Sequence, residues 1–208
     1  MIIAIDGPAA AGKGTLARRL AKHLGLAYLE SGKLYRAVAL KLLREGLDPS
    51  DRREAAKAAR ALVIADLDDP DLFKEAAARA ASMVGAIAEV RGALLPFQRA
   101  FAAHPPNDAR GAVLDGRDIG TVVCPEADHK FFVTASTEVR AARRLKELRE
   151  RGSKSIHSRV LEDMKERDAR DSGREVSPLA PAPDAHLLDT SELDADEVFA
   201  AALELIER

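Results

Sequence analysis

The stretch IDGPAAAGKGT, residues 5–15, places Gly7 and Gly12 in the pattern G-x-x-x-x-G-K, with Lys13 as the lysine. An apolar run precedes it and a helical repeat of leucines follows. Residues Gly7, Pro8, Ala9, Ala10, Ala11, Gly12, Lys13, Gly14 and Thr15 therefore read as a cradle for the phosphates of a nucleotide. Glycines let backbone amides curl around phosphate oxygens, the helix N-terminus adds partial positive charge, and the lysine adds a full one. A plain glycine-rich turn would need neither the lysine nor the strand–turn–helix context. Gly14 displaces the usual Mg²⁺-binding hydroxyl by one position, to Thr15. A guanine-reading N-K-x-D motif is excluded, because Asn107 is the only asparagine and it precedes Asp108.

Such a loop needs a sheet edge to stand on. Apolar runs at 2–5, 26–29, 112–115, 130–134 and 185–189 read as buried strands, and helical patterns follow them. That alternation predicts an α/β fold: a five-stranded parallel sheet with helices on both faces. Leu16, Leu20 and Leu24 mark the first helix, and Leu34, Val38 and Leu42 the second; Gly25 and Gly46 stop them. Residues 51–103 are alanine-rich and read as helix throughout, an insertion between the second and third strands. Pro96 within it should kink or end a helix. The stretch RERGSKSIHS, residues 149–158, reads as a mobile flap between two charged helices. Both interruptions leave the carboxyl ends of the strands, where ligands bind in open α/β sheets.

The chain has 208 residues, 47% hydrophobic and 32% charged, which suits one globular domain. A formal net charge of −2 argues against a general polyanion binder, so no nucleic-acid partner is expected. One cysteine, Cys124, excludes an internal disulfide and reads as a small apolar residue near a strand end. With no signal-like N-terminus and no apolar run approaching a membrane span, the expectation is a cytoplasmic protein without a membrane partner. No exposed apolar seam stands out, so a monomer is expected. No protein-bound metal is expected either.

Other charged residues recur in patterns that suit a second anion. Arg167, Asp171 and Arg174 stand at i, i+4 and i+7, on one helical face; by spacing alone they equally make a solvated Asp–Arg pair. Arg117 and Asp118 directly follow the third predicted strand. Ser82 and Arg91 are nine residues apart, on opposite faces of any continuous helix. Both can face one ligand only if the chain breaks between them, and Gly85 is the place for it.

Four motifs now stand in one order: ESGKLYRA (30–37), LDGRDIGTVV (114–123), KERDARD (165–171) and PLAPAPDAHLLDTSEL (178–193). With the phosphate loop they give a chain that resembles the bacterial cytidylate kinases over nearly its whole length. The resemblance implies a P-loop NTPase fold with a core (1–31, 110–148 and 160–208), a monophosphate-binding insertion (about 32–109) and a short lid (about 149–159). It implies transfer of a phosphoryl group from ATP, with Mg²⁺, to CMP or dCMP. Lys13, Arg117 and Arg174 would be catalytic. Arg36, Arg117 and Arg174 would hold the acceptor phosphate, and Ser82, Arg91 and Asp118 would read cytosine. Arg167 and Asp171 would bind the sugar, while Ser31 and Tyr35 would line the pocket.

The chemistry of these residues agrees. Guanidinium forks grip phosphate oxygens bidentately, and two anions approach each other only between such cations. A carboxylate suits the amino group of cytosine, and an arginine suits its N3 and O2 acceptors. No side-chain base is needed, since an acceptor phosphate with a second pKa near ~6 is mostly ionised at neutral pH. None of the five histidines is assigned a role; His23, His129 and His186 fall in or beside regular elements, His104 and His157 in loops. Asp115 either holds a water on Mg²⁺ or simply ends its strand. In the basic helix 138–152, some of Arg140, Arg143, Arg144 and Arg151 would close over ATP. Two features depart from the family pattern: Glu30 replaces an aspartate, and the insertion is too short for the small β-meander of many members. The alternatives are a kinase acting on UMP or AMP and an ATP-binding regulator that transfers nothing.

Overall fold

The computed structural model describes residues 1–207. Five strands, β1 (Ile2–Asp6), β2 (Ala27–Glu30), β3 (Ala112–Gly116), β4 (His129–Thr134) and β5 (His186–Asp189), form one parallel sheet in the order β2-β3-β1-β4-β5. All five lie within one residue of their expected runs at either end. Each central strand is buried on both faces, which is why the strands read as unbroken apolar runs. Register decides what the edge presents. Asp6 lies opposite Gly116 on one side and Phe132 on the other, and Glu30 lies opposite Asp115. The carboxyl ends of β2, β3 and β1 are therefore level, and the segments that follow them emerge side by side.

Helix α1 (Lys13–Leu24) sets Leu16 and Leu20 against Ile3, Ile5, Phe131 and Val133 of the sheet, with Val198 and Ala202 of α8 (Ala195–Glu207) completing that layer. Each such buried side chain stabilises the fold by about 1.5–3 kcal/mol relative to exposure. On the opposite face Ala4, Leu29 and Leu114 meet Ile119, Val123, Cys124 and Ala102. A separate core holds the insertion together. Leu34, Val38 and Leu42 of α2 (Ser31–Arg44) pack on Ala55 and Ala59 of α3 (Arg52–Arg60), Ala80 and Val84 of α4 (Glu75–Val84), and Val90 and Leu94 of α5 (Ala88–Ala103). The alanines allow these helix axes to approach closely. Helices α6 (Thr137–Glu150) and α7 (His157–Gly173) form a third unit around Ala141, Leu145, Leu148, Val160 and Met164.

Several expectations require correction. The insertion contains no strand, but Ile64–Asp68 and Pro70–Phe73 are short 3₁₀ turns rather than α-helix. Pro96 neither ends nor splits α5, which runs seven residues beyond it. Buried residues on both sides of the proline, Val90 and Leu94 before it and Gln98 and Ala102 after it, hold the helix against two cores. His157 opens α7 instead of lying in a loop, and only residues 151–156 of the expected flap are irregular. Cys124 is buried as expected but follows a π-turn, Ile119–Val123, that the sequence pattern does not reveal. No single described helix is long and apolar enough to cross a membrane.

Candidate active site

The phosphate loop leaves β1 at Gly7, whose φ of +143° is accessible to glycine. A Cβ there would lie 1.9 Å from the carbonyl oxygen of Val133, so the loop can begin here only if this residue has no side chain. Gly12, at φ +96°, occupies the N-cap of α1, and no side chain caps the first turn. The amides of that turn thus face the cleft with their dipoles aimed outward. Gly14 keeps the start of α1 open in a second way. A Cβ on it would meet Arg18 Nη1 at 3.3 Å and Asp115 Oδ2 at 3.4 Å. Lys13 is buried, and its Nζ donates to the carbonyl of Pro8 at 2.7 Å. Burial pushes its pKa well below the usual lysine value, and the guanidinium of Arg117 pushes the same way. A polyanion in the loop is what would hold this lysine charged.

Facing the loop across one cleft of about 490 Å³ lie residues from five further parts of the chain. Its walls include Ala9 to Thr15, Ser31, Tyr35, Arg36, Ser82, Arg91, Arg117, Asp118, Arg167, Asp171 and Arg174. The fold thus brings together every acceptor-side residue singled out from the sequence. Gly7 and Pro8 do not line the cleft; they shape the loop from beneath. None of the histidines lines it.

The chain breaks after Val84 and resumes as helix at Ala88, which lets Ser82 on α4 and Arg91 on α5 face the same space. Arg91 pairs with Asp118 at 2.5 Å, both nearly inaccessible to water, and donates to the carbonyl of Gly85 at 2.9 Å. Its guanidinium also lies over the ring of Tyr35, 5.2 Å from the centroid. Arg117 Nε donates to Asp171 Oδ2 at 3.0 Å, and Arg167 Nε lies 3.7 Å from the same oxygen. Burial opposes ionisation of Asp171, but Arg117 and Arg167 outweigh it and hold its carboxyl below the usual range. Arg167 is pushed down to about 10 by burial and by Arg117. Burial, with Arg91 adding, also lowers Arg174. Arg36 is lowered by burial and keeps Glu30 at 3.6 Å. Arg91 Nε, Arg167 Nε and Arg174 Nη2 are buried without any hydrogen-bond partner. Crowded guanidiniums that line one cleft and keep unused donors suit an anion.

The arginines of α6 divide into two kinds. Arg140 is fixed by Asp168 at 2.7 Å and Arg143 by the hydroxyl of Thr190 at 2.8 Å. Arg144 and Arg151 line the cleft, each 2.8 Å from the Glu147 carboxylate. Phe73 lines it too, with Arg151 at 5.0 Å and Arg36 at 5.6 Å from its ring centroid. Nothing in the sequence around Phe73 pointed to the cleft.

A further residue escaped sequence reading. Asp6, the last residue of β1, accepts the amides of Ile119 and Gly120 at 2.8 and 2.7 Å. Burial raises its pKa to about 6 although these two amides oppose the rise. The only sequence signal is a carboxylate closing an otherwise apolar strand. Asp115, at the same level of the sheet, is likewise raised to about 6 by burial, against the pull of Lys13.

A family model described as cytidylate kinase matches residues 3–208. A cytidylate kinase of Paramagnetospirillum magneticum is 64% identical over 99% of this chain and 97% of its own length. One from Rhodospirillum rubrum is 62% identical over 99% and 97%. Among solved structures, an uncharacterized protein from Eubacterium ventriosum aligns over 100% of this chain and 98% of its own, with a TM-score of 0.56 at 15% identity. A sugar kinase from Janibacter sp. aligns over 99% and 94%, with a TM-score of 0.51 at 14% identity. Those two likenesses concern the fold alone. The loop, the level strand ends and the arginine-lined cleft lie within the matched residues, and the chain belongs to the cytidylate kinase family.

Proposed function

We propose that this chain transfers the γ-phosphoryl group of ATP to CMP or dCMP, giving ADP and CDP or dCDP. One observation carries the reading: the phosphate loop and a set of buried arginines with unused donors share a single cleft. A protein that only held ATP would have no use for the second set.

In this reading Lys13 and the loop amides stabilise charge on the β- and γ-oxygens during in-line transfer. Arg36, Arg117 and Arg174 hold the acceptor phosphate and screen it from the incoming polyphosphate. Asp118 accepts from the cytosine amino group, while Arg91 and Ser82 meet its acceptor edge; Arg167 and Asp171 hold the sugar, and Ser31 and Tyr35 complete the wall. Uracil would set its O4 against the carboxylate of Asp118, with both groups acceptors. The acceptor phosphate is its own nucleophile and needs no base.

The residues present fit Mg²⁺: Thr15 lines the cleft and the Asp115 carboxylate stands beside Gly14. Thr15, and Asp115 through a water, would hold the ion, which neutralises charge on the transferring phosphates. The segment 32–109 is the monophosphate-binding insertion in this scheme, and the lid at about 149–159 carries Arg151 over ATP beside Arg144 of α6, excluding water. We read the protein as a monomer of the cytoplasm. A coupled assay with CMP, dCMP, UMP and AMP tests the proposal. Turnover of CMP and dCMP well above the others is expected, and a preference for UMP or AMP overturns it.

A further inference from the structure

Ser82 is buried in the last turn of α4, yet its side chain is held from another part of the molecule. Arg170 of α7 donates from Nη1 to Ser82 Oγ at 2.7 Å. Among the described residues that is the hydrogen bond Arg170 makes, and no ion pair engages it. Arg170 does not line the cleft, whereas Ser82 does. Its neighbours Arg167 and Asp171 on α7 do line the cleft, as does Arg174, which stands in extended backbone just past the helix end and not on the helical face its spacing suggested. One helix therefore supplies groups that would touch substrate and one group that reaches past it.

The chemistry of this contact is directional. A guanidinium donates and never accepts, so Arg170 occupies a lone pair of Oγ and leaves the single hydroxyl hydrogen free. Without it, the hydroxyl of a helical serine turns to the carbonyl four residues back and spends its hydrogen there. With one lone pair of Oγ held by Arg170, the hydrogen is available to the cleft that Ser82 lines. A donor suits the N3 and O2 acceptors of cytosine and opposes the N3–H of uracil.

We propose that Arg170 is a positioning residue for base selection: by donating to Ser82 Oγ it fixes the hydroxyl as a hydrogen-bond donor toward the pyrimidine. This rests on the assignment of Ser82 to the base pocket made above. The same contact ties the insertion to α7, so the hydroxyl is set only when the two approach.

The test is a double-mutant cycle on the full-length protein, read by steady-state kinetics with CMP and UMP and by thermal denaturation. Arg170→Ala is expected to raise KM for CMP about tenfold and to lower the CMP:UMP preference, with KM for ATP and the melting temperature close to wild type. Arg170→Lys, which keeps a donor, should recover part of the loss. In a Ser82→Ala background, Arg170→Ala should add nothing. Independent, additive effects of the two substitutions would overturn the proposal, as would an equal rise in KM for ATP or a lysine variant no better than alanine. Failure of the wild-type protein to phosphorylate CMP would instead overturn the functional reading, so the two failures are distinct.

Discussion

The two halves of the cleft bind anions by different means. On the donor side, one unbroken segment, Ala9 to Thr15, offers backbone amides, a helix end and a single lysine. On the acceptor side, residues from five places, α2, α4, α5, the β3 turn and the end of α7, converge, and their charges are already partly matched, Arg91 with Asp118 and Arg117 with Asp171. Backbone dipoles need no counter-charge when the site is empty. Buried guanidiniums do, because an isolated buried charge is strongly destabilising. The acceptor half therefore carries its own carboxylates, and in the proposed function these same carboxylates read base and sugar. On that proposal selectivity resides where charges must be balanced, and the donor half has no such requirement.

Four experiments would break or sharpen this contrast. The largest effect belongs to Lys13→Met, which should lower kcat about a thousandfold while leaving CMP binding, measured by calorimetry, nearly unchanged. A comparable loss of CMP affinity would mean that the two halves are not separable. Next, Arg174→Ala should cut kcat/KM for CMP about a hundredfold and spare ATP affinity; unchanged turnover would remove this arginine from the site. Third, Asp118→Asn should erode the CMP:UMP preference about tenfold and, by stranding Arg91, cost about 3–5 kcal/mol in urea denaturation. A preserved ratio would count against its role as a reader.

The smallest effect is a matter of protons. Asp6 and Asp115 are raised to about 6 from an ordinary 3.8, whereas Asp171 is lowered. The folded, ligand-free protein thus binds protons at Asp6 and Asp115 that the unfolded chain has released. The stability these two groups contribute is full below about 3.8 and declines as pH rises through about 6. Asp171 has the opposite sign: its contribution is present above 3.8 and lost on acidification below it. Carbon-13 titration of the carboxyl signals should show midpoints near pH 6 for the first two and below 3.8 for the third. Ordinary midpoints for all three would dissolve the distinction.

What the sequence made legible follows the same division. The phosphate loop is local, so its residues and its strand and helix could be read together. The break at Gly85 was legible because Ser82 and Arg91 could not share a face without it. Spacing alone did not separate Arg167, Asp171 and Arg174 from a solvated helix face; the ordered set of motifs did. Contacts between distant segments were out of reach. Asp6 meets amides 113 and 114 residues away, and Ser82 meets Arg170 at a separation of 88. That Pro96 would end its helix did not hold, because a rule about isolated helices took no account of burial before and after it.

Asp6 fixes more than a turn. Its carboxylate closes β1 one residue before Gly7 and grips Ile119 and Gly120, just beyond Arg117 and Asp118, so the two anion receptors are staked to a common post inside the sheet. None of that bracing passes through the helices between β2 and β3. Away from Ser31, Arg36, Ser82 and Arg91, those helices can therefore grow or shrink while the gap that a phosphoryl group must cross stays constant.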